Sequence, residues 1–139
     1  MKVHSEKFSI STRGFSDICD ITARISEAVA NAGIRDGIVT VFVTGSTASV
    51  STIEFEPALI EDFKDLLEKL TPHAMKSRHG ETWGDDNGFS HLRATLMGPG
   101  ITLPVVANEL VLGTWQQIVL IDHDNRSRRR EVFVQVIGQ

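Results

Sequence analysis

"ITLPVVANELVLGTWQQIVLIDHDNRSRRREVFVQVIG", residues 101–138, decides the fold class. Four apolar runs lie in it: "ITLPVV", "LVLG", "QQIVLID" and "REVFVQVIG". They recur about every ten residues with turn-forming residues between them, a spacing that predicts antiparallel strands. Immediately upstream, "GPG" stops a short helix, "GFSHLRATLM", with Asn87 as its cap. Before it, "TPHAMKSRHGETWGD", residues 71–85, is a long polar connection, and connections of that length are often functional.

Further toward the N-terminus, Pro57 suits the first turn of the helix "PALIEDFKDLLEKL", whose Leu59, Phe63, Leu66, Leu67 and Leu70 share one face. "GIVTVFVTG", residues 37–45, is β-branched and reads as a buried strand, with "STASVSTIE" continuing as another. Ile18, Ile21, Ile25, Ala28 and Val29 recur at gaps of three and four, which predicts a helix capped by Ser16 or Asp17 and ended by Gly33. "VHSEKFSIS" alternates as a strand does. The sum is a single α+β domain over residues 1–139: a largely antiparallel sheet of about six strands, two main helices and one short helix.

The totals agree with that frame. A chain of 139 residues fits one domain. It buries roughly two-thirds of its unfolded surface and needs no disulfide or structural metal to fold. The apolar share of 41% is ordinary for a globular protein. Cys19 is the only cysteine, so no intrachain disulfide forms. A net charge of −4 argues against a nucleic-acid partner, which imposes a basic footprint. No apolar run reaches the ~20 residues that span a bilayer. "MKVHSEKFSI" has no signal-peptide apolar core, so a cytoplasmic location is expected.

Polar chemistry concentrates in residues 78–100. His79, Asp85 and His91 follow one another at intervals of six. Imidazole and carboxylate donors suit zinc, magnesium or another divalent ion, although the spacing matches no zinc signature and there is no thiolate set. An acid–base reading competes, with Asp85 fixing the tautomer of a histidine that moves protons near neutrality. A third reading makes the group hydrogen-bonded loop structure. Glu54 is either a general base or a helix-dipole carboxylate. Ser46 and Thr47 follow a strand, where hydroxyls and free N–H groups can hold a phosphate or simply edge a sheet. Arg126, Arg128, Arg129 and Arg130 precede the last strand. Alternation there puts Arg128 and Arg130 on one face and Arg129 on the other, for an anion pocket, a subunit contact or a solvated edge. Trp115, in "LGTWQQI", packs or walls a pocket for a flat ring.

Taken together, "GSTASVSTIEFEP", "WGDDNGFSHLRATLMGP" after His79, and "LVLGTWQQIVLIDHDNRSRRREVFVQVIG" resemble the YjbQ family over nearly the whole chain. The resemblance implies a compact α+β fold with a largely antiparallel sheet, and a homotrimer. It also implies a weak, secondary thiamine-phosphate synthase activity. In that reaction a pyrimidine methyl diphosphate loses pyrophosphate and the nitrogen of a thiazole phosphate takes its place. The matching positions are Glu54, His79, Asp85, Asn87, His91, Gly98, Gly113, Thr114, Trp115 and Gln116. Many members start the hydroxyl block with His-Thr-Thr-Ala, whereas this chain has Gly45-Ser46-Thr47-Ala48, like a Gly-Ser-Thr subgroup.

From this follow two functional expectations. In the first, an enzyme binds a small phosphorylated metabolite through Ser46, Thr47, Asn87, Trp115, Gln116, Arg128 and Arg130, with Arg128 or Arg130 arriving from a neighbouring subunit. Glu54, Asp85 and His91 carry its catalysis, and a divalent ion is held by His79, Asp85 and His91. In the second, a non-catalytic trimer stores a metal or an anionic metabolite. No nucleophile–base pair is visible, because Cys19 falls in an expected helix.

Overall fold

The computed structural model describes residues 1–139. In chain order its elements are β1 (Lys2–Thr12), β2 (Asp17–Asp20), α1 (Thr22–Ala32), β3 (Gly37–Val43), β4 (Ala48–Ile53) and α2 (Pro57–Leu70). There follow α3 (Arg78–Trp83), α4 (Gly88–Met97), β5 (Gly100–Val106), β6 (Glu109–Leu110), β7 (Gln117–Asp122) and β8 (Arg128–Gly138). β1, β8, β3, β5 and β6 form a five-stranded sheet in that order, and β2, β7 and β4 form a three-stranded one. Every pairing is antiparallel.

Alternation decides which way the larger sheet faces. On β8, Val132, Val134 and Val136 are buried while Glu131, Phe133 and Gln135 are exposed. On β3, Val39, Val41 and Val43 turn the same way and lie beside them in register. This inner face meets Ile25, Ala28 and Val29 of α1, together with Val50 of β4 and Ile118 and Leu120 of β7, in one core. Each fully buried Val or Ile there contributes about 1.5–3 kcal/mol relative to exposure. The other face of the small sheet holds a second cluster, Ile18, Val119 and Ile121, beneath Ile60 and Phe63 of α2 and Met97 of α4. β7 is therefore covered on both faces, which explains its unbroken apolar run "IVLI".

The α+β class and the antiparallel pairing agree with the sequence reading, although eight strands form two sheets rather than about six forming one, and three further details differ. Residues 17–20 are strand, not the start of a helix: they pair with Asp122 to Val119 of β7. Four ladder positions across the fold outweigh a helical periodicity that starts one turn too early. Cys19 thus sits in β2, and α1 opens after Asp20, whose carboxylate accepts from the Thr22 N–H and hydroxyl. The polar connection contains a helix of its own, α3, capped by Ser77, whose hydroxyl accepts from Gly80 N–H. In "LVLG" only Leu110 is strand: Ala107 and Asn108, both at positive φ, turn the chain tightly and β6 ends after two residues.

Candidate functional site

Where β3 ends and β4 begins, the 44–47 turn faces the end of β7, the entry of β8 and the N-terminus of α4. Pairing of Ala48 with Asp122 places Thr47 and His123 side by side, and His123 N–H donates to the Thr47 carbonyl at 2.9 Å. Asp122, His123 and Asp124 are all fully buried. These three residues organise the region.

Each carboxylate holds a cation. Asp122 accepts from Arg130 Nε at 2.7 Å and Nη2 at 2.8 Å, and also from the Thr12 hydroxyl. Asp124 accepts from Arg128 Nε at 2.8 Å, Thr47 Oγ1 at 3.1 Å and Asn87 Nδ2 at 3.2 Å. Burial alone would raise the Asp124 carboxyl. The Asn125 N–H, Asn87 and Arg128 outweigh it and hold the group below the usual carboxylate range. His123 lies between two hydroxyls, Ser16 Oγ at 2.8 Å from Nδ1 and Ser49 Oγ at 3.1 Å from Nε2. Burial, with the Arg93 charge nearby, lowers its pKa to about 4, so the ring is neutral. Arg93, itself buried, donates to Ser16 Oγ, to Thr71 and to Glu68.

Asn87 links this buried network to the surface pair of histidines. The expected cap role is not what its side chain does: it makes no cap bond to α4. Its Nδ2 donates to Asp124, so its Oδ1 faces His79 Nε2 at 3.0 Å and must accept. His79 therefore carries its proton on Nε2, where Asp85 Oδ2 is 3.4 Å away, and its Nδ1 keeps a lone pair. On the first turn of α4, His91 packs edge-on against His79, with ring centroids 4.5 Å apart. Burial lowers the His91 pKa and the neighbouring His79 lowers it further, against smaller opposing effects of Asp124, Asp85 and the Ser46 backbone.

Both rings line a cavity of about 720 Å³ between α3 and α4, with Met75, Lys76, Ser77, Arg78, Glu81, Gly88 and Leu92 as its other walls. Lys76 and Arg78 against Glu81 give it a cationic balance. Its walls thus set two imidazoles beside two cationic side chains.

The structure thus brings together His79, Asp85, Asn87 and His91, and connects them through Asp124 to Thr47 and Arg128. Ser46 reaches the same place by its backbone. Arg130 is engaged within its own chain, with its carboxylate partner fully buried, rather than free to reach a neighbour. Glu54, Trp115 and Gln116 are elsewhere. They lie beyond Ile53 and Gln117, at the end of β4 and β7 opposite Ala48 and Asp122, roughly 20 Å from Thr47 at strand rise. Gln116 ties its own turn down, accepting from Gly113 N–H and donating to Thr52. Trp115 is 73% exposed. Glu56, not Glu54, caps α2, accepting from Ala58 and Leu59 N–H.

No three of the His, Cys, Asp and Glu side chains form a metal-holding group. Cys19 is no nucleophile: burial, and Asp17 beside it, push its thiol up to about 11. Sequence reasoning missed Asp122, His123, Asp124 and Arg93. The available signal was "DHD" closing a buried apolar strand, since charges in that position need partners and "RSRRR" supplies them. No helix is long and apolar enough to cross a membrane.

Residues 6–139 match the family model described as UPF0047 protein YjbQ-like. A UPF0047 protein of Methanothermobacter thermautotrophicus is 34% identical over 139 residues, covering 100% of this chain and 95% of the relative. One from Archaeoglobus fulgidus is 33% identical over 126 residues, 91% of this chain and 96% of the relative. Among solved structures, a YbjQ-like protein of unknown function from Sulfolobus solfataricus superposes with a TM-score of 0.94 at 33% identity, covering 99% of both chains. A hypothetical protein from Aeropyrum pernix does so with a TM-score of 0.89 at 30% identity, covering 97% of this chain and 98% of the other.

Proposed function

Because this chain belongs to the YjbQ-like UPF0047 family, we propose that its cavity binds a small phosphorylated metabolite and that His79 and His91 manage protons on it. The observation that carries this reading is the edge-on contact of the two imidazoles on the wall of a cavity that also presents Lys76 and Arg78. Such a pair shares protons unequally. The His79 charge, when present, disfavours protonation of His91. The His79 tautomer set by Asn87 directs its basic nitrogen, Nδ1, away from the buried network.

The reaction proposed for this geometry is the thiamine-phosphate synthase one. The C–O bond between the pyrimidine methylene and its diphosphate breaks, pyrophosphate leaves with the bonding pair, and the thiazole nitrogen lone pair forms the new C–N bond. Lys76 and Arg78 balance the charge on the departing pyrophosphate, and His91 in its protonated form donates to it. Glu54, Trp115 and Gln116 join this site only from another copy of the chain, so the reading includes the homotrimer. The exposed Trp115 and the exposed Leu66, Leu70 and Leu96 support an assembled state.

The second reading is a binder without turnover. There a divalent ion, zinc or magnesium, would draw on His79, Asp85 and His91 and would supply charge neutralisation to the bound phosphate. It is favoured by the closeness of the two imidazoles, although they and Asp85 do not form a metal-holding group of three.

Incubation of the protein with the pyrimidine diphosphate and the thiazole phosphate tests the first reading. Thiamine phosphate is expected from the parent and not from His91→Ala. Equal traces from both remove the transferase, and failure of the parent to bind pyrophosphate removes the anion cavity as well.

A further inference from the structure

We propose that the cleft between α2 and the small sheet is a second ligand site, and that it takes a small apolar amine, with an alkyl or aryl body lying on the sheet and an ammonium group at Asp62. The site is separate from the histidine cavity and does not rest on the function proposed there.

The cleft measures about 390 Å³. That is the room of about thirteen waters at ~30 Å³ each, enough for a molecule of about a dozen non-hydrogen atoms. Its floor is sheet. Ser51 and Ile53 of β4 alternate with Val50, which faces the main core, and Ser51 pairs with Val119 of β7. Its roof is helix. Leu59, Asp62, Phe63 and Leu66 follow one another at the i, i+3, i+4 and i+7 spacing of a single helical stripe. Met97 of α4 adds a flexible thioether to the wall.

The helix does not fill this space itself. Leu67 is the only buried residue among the fourteen of α2, and Leu66 is 49% exposed. An amphipathic helix ordinarily presses its apolar stripe onto the layer below, whereas this stripe borders a gap large enough for a ligand.

Charge selects the ligand. No lysine, arginine or histidine lines the cleft, while Asp62 stands inside the apolar stripe. Lys64, two residues further on, is paired with Glu61 at 3.9 Å. α2 carries four acidic and two basic side chains, a balance that favours a cation beside it. An ammonium group can donate to the Asp62 carboxylate, and the Ser51 hydroxyl offers a further acceptor. A carboxylate or phosphate finds no positive partner here. It finds Lys76 and Arg78 in the histidine cavity, so the two sites sort ligands by charge.

Methyl NMR of the methionines, titrated with phenylbutylamine, phenylbutanol and phenylbutyrate, tests this on the parent protein. The amine is expected to shift Met97 with a dissociation constant below about 1 mM, and to leave Met75, on the wall of the histidine cavity, unmoved. The alcohol should bind about threefold more weakly, the worth of one exposed ion pair, and the acid more weakly still. Asp62→Asn should bring the amine to the level of the alcohol and leave the alcohol unchanged. A Met97 signal that the amine does not move overturns the site, and three compounds that bind the parent equally overturn the choice of an amine. A second copy on this face also overturns it: sedimentation would then show an oligomer that Leu66→Glu dissociates, with Met97 in the parent indifferent to the amine.

Discussion

Between pH ~6.5 and ~4, acidification should destabilise this protein chiefly through His123. The ring is wholly buried between Ser16 and Ser49, and its pKa is near 4 in the folded chain. In the unfolded chain it returns to about 6.5. The unfolded state then binds the extra proton between those values. Stability from this group is complete above pH ~6.5 and is lost as pH falls toward ~4. A gap of about 2.5 units at 1.36 kcal/mol each amounts to about 3 kcal/mol, or a fall in Tm of roughly 10 °C for a chain of this size. His91, whose pKa is also lowered, adds to the slope with the same sign. Urea unfolding at pH 7, 5.5 and 4 measures the loss, and His123→Gln should be less stable at pH 7 yet show a much flatter profile. An unchanged slope in that variant, or an imidazole NMR titration placing His123 near 6.5, would refute the reasoning.

Other perturbations separate the parts of the network. Arg130→Met strands the fully buried Asp122 and should cost about 3–5 kcal/mol by chemical denaturation; a loss below about 1 kcal/mol would show that water replaces the arginine. Asn87→Ala removes one bond to Asp124 and one to His79, and should cost about 1–3 kcal/mol. It should also let His79 populate both neutral tautomers in ¹⁵N spectra, whereas a retained Nε2–H form would place the cause elsewhere. Glu56→Ala should cost about 1 kcal/mol through the α2 cap, while Glu54→Ala should stay within about 0.5 kcal/mol in the isolated chain; the reverse order would contradict the cap assignment.

Much of the frame was legible because its signals are local. The alternation of "REVFVQVIG" states both element and buried face within a dozen residues, whereas the Pro57 start of a leucine-rich helix states only the element: of its expected face Leu67 is buried while Leu66 and Leu70 are exposed. β2 was not legible, because "DICD" sits in a helix-like spacing and becomes strand only by pairing with β7, about a hundred residues away in sequence. α3 is six residues of polar sequence with no apolar face to announce it. At the site, His79, Asp85, Asn87 and His91 were visible as an unusual polar density close in sequence. Asp122, His123 and Asp124 depend on partners such as Thr12, Ser16 and Thr47, whose nearness only the fold creates. Glu54, Trp115 and Gln116 show the converse: motif positions can be singled out together and still lie at the far end of the sheet.

The proposed function stands on the His79–His91 pair facing an anion. Long-range ¹H–¹⁵N spectra of the histidine side chains, titrated with pH in the presence and absence of pyrophosphate, test it most directly. In the free protein His91 should titrate below the ordinary histidine value, and pyrophosphate should raise it, because a nearby anion favours the protonated ring. Superimposable titration curves for both histidines, with and without saturating pyrophosphate, would mean that no anion sits beside the pair.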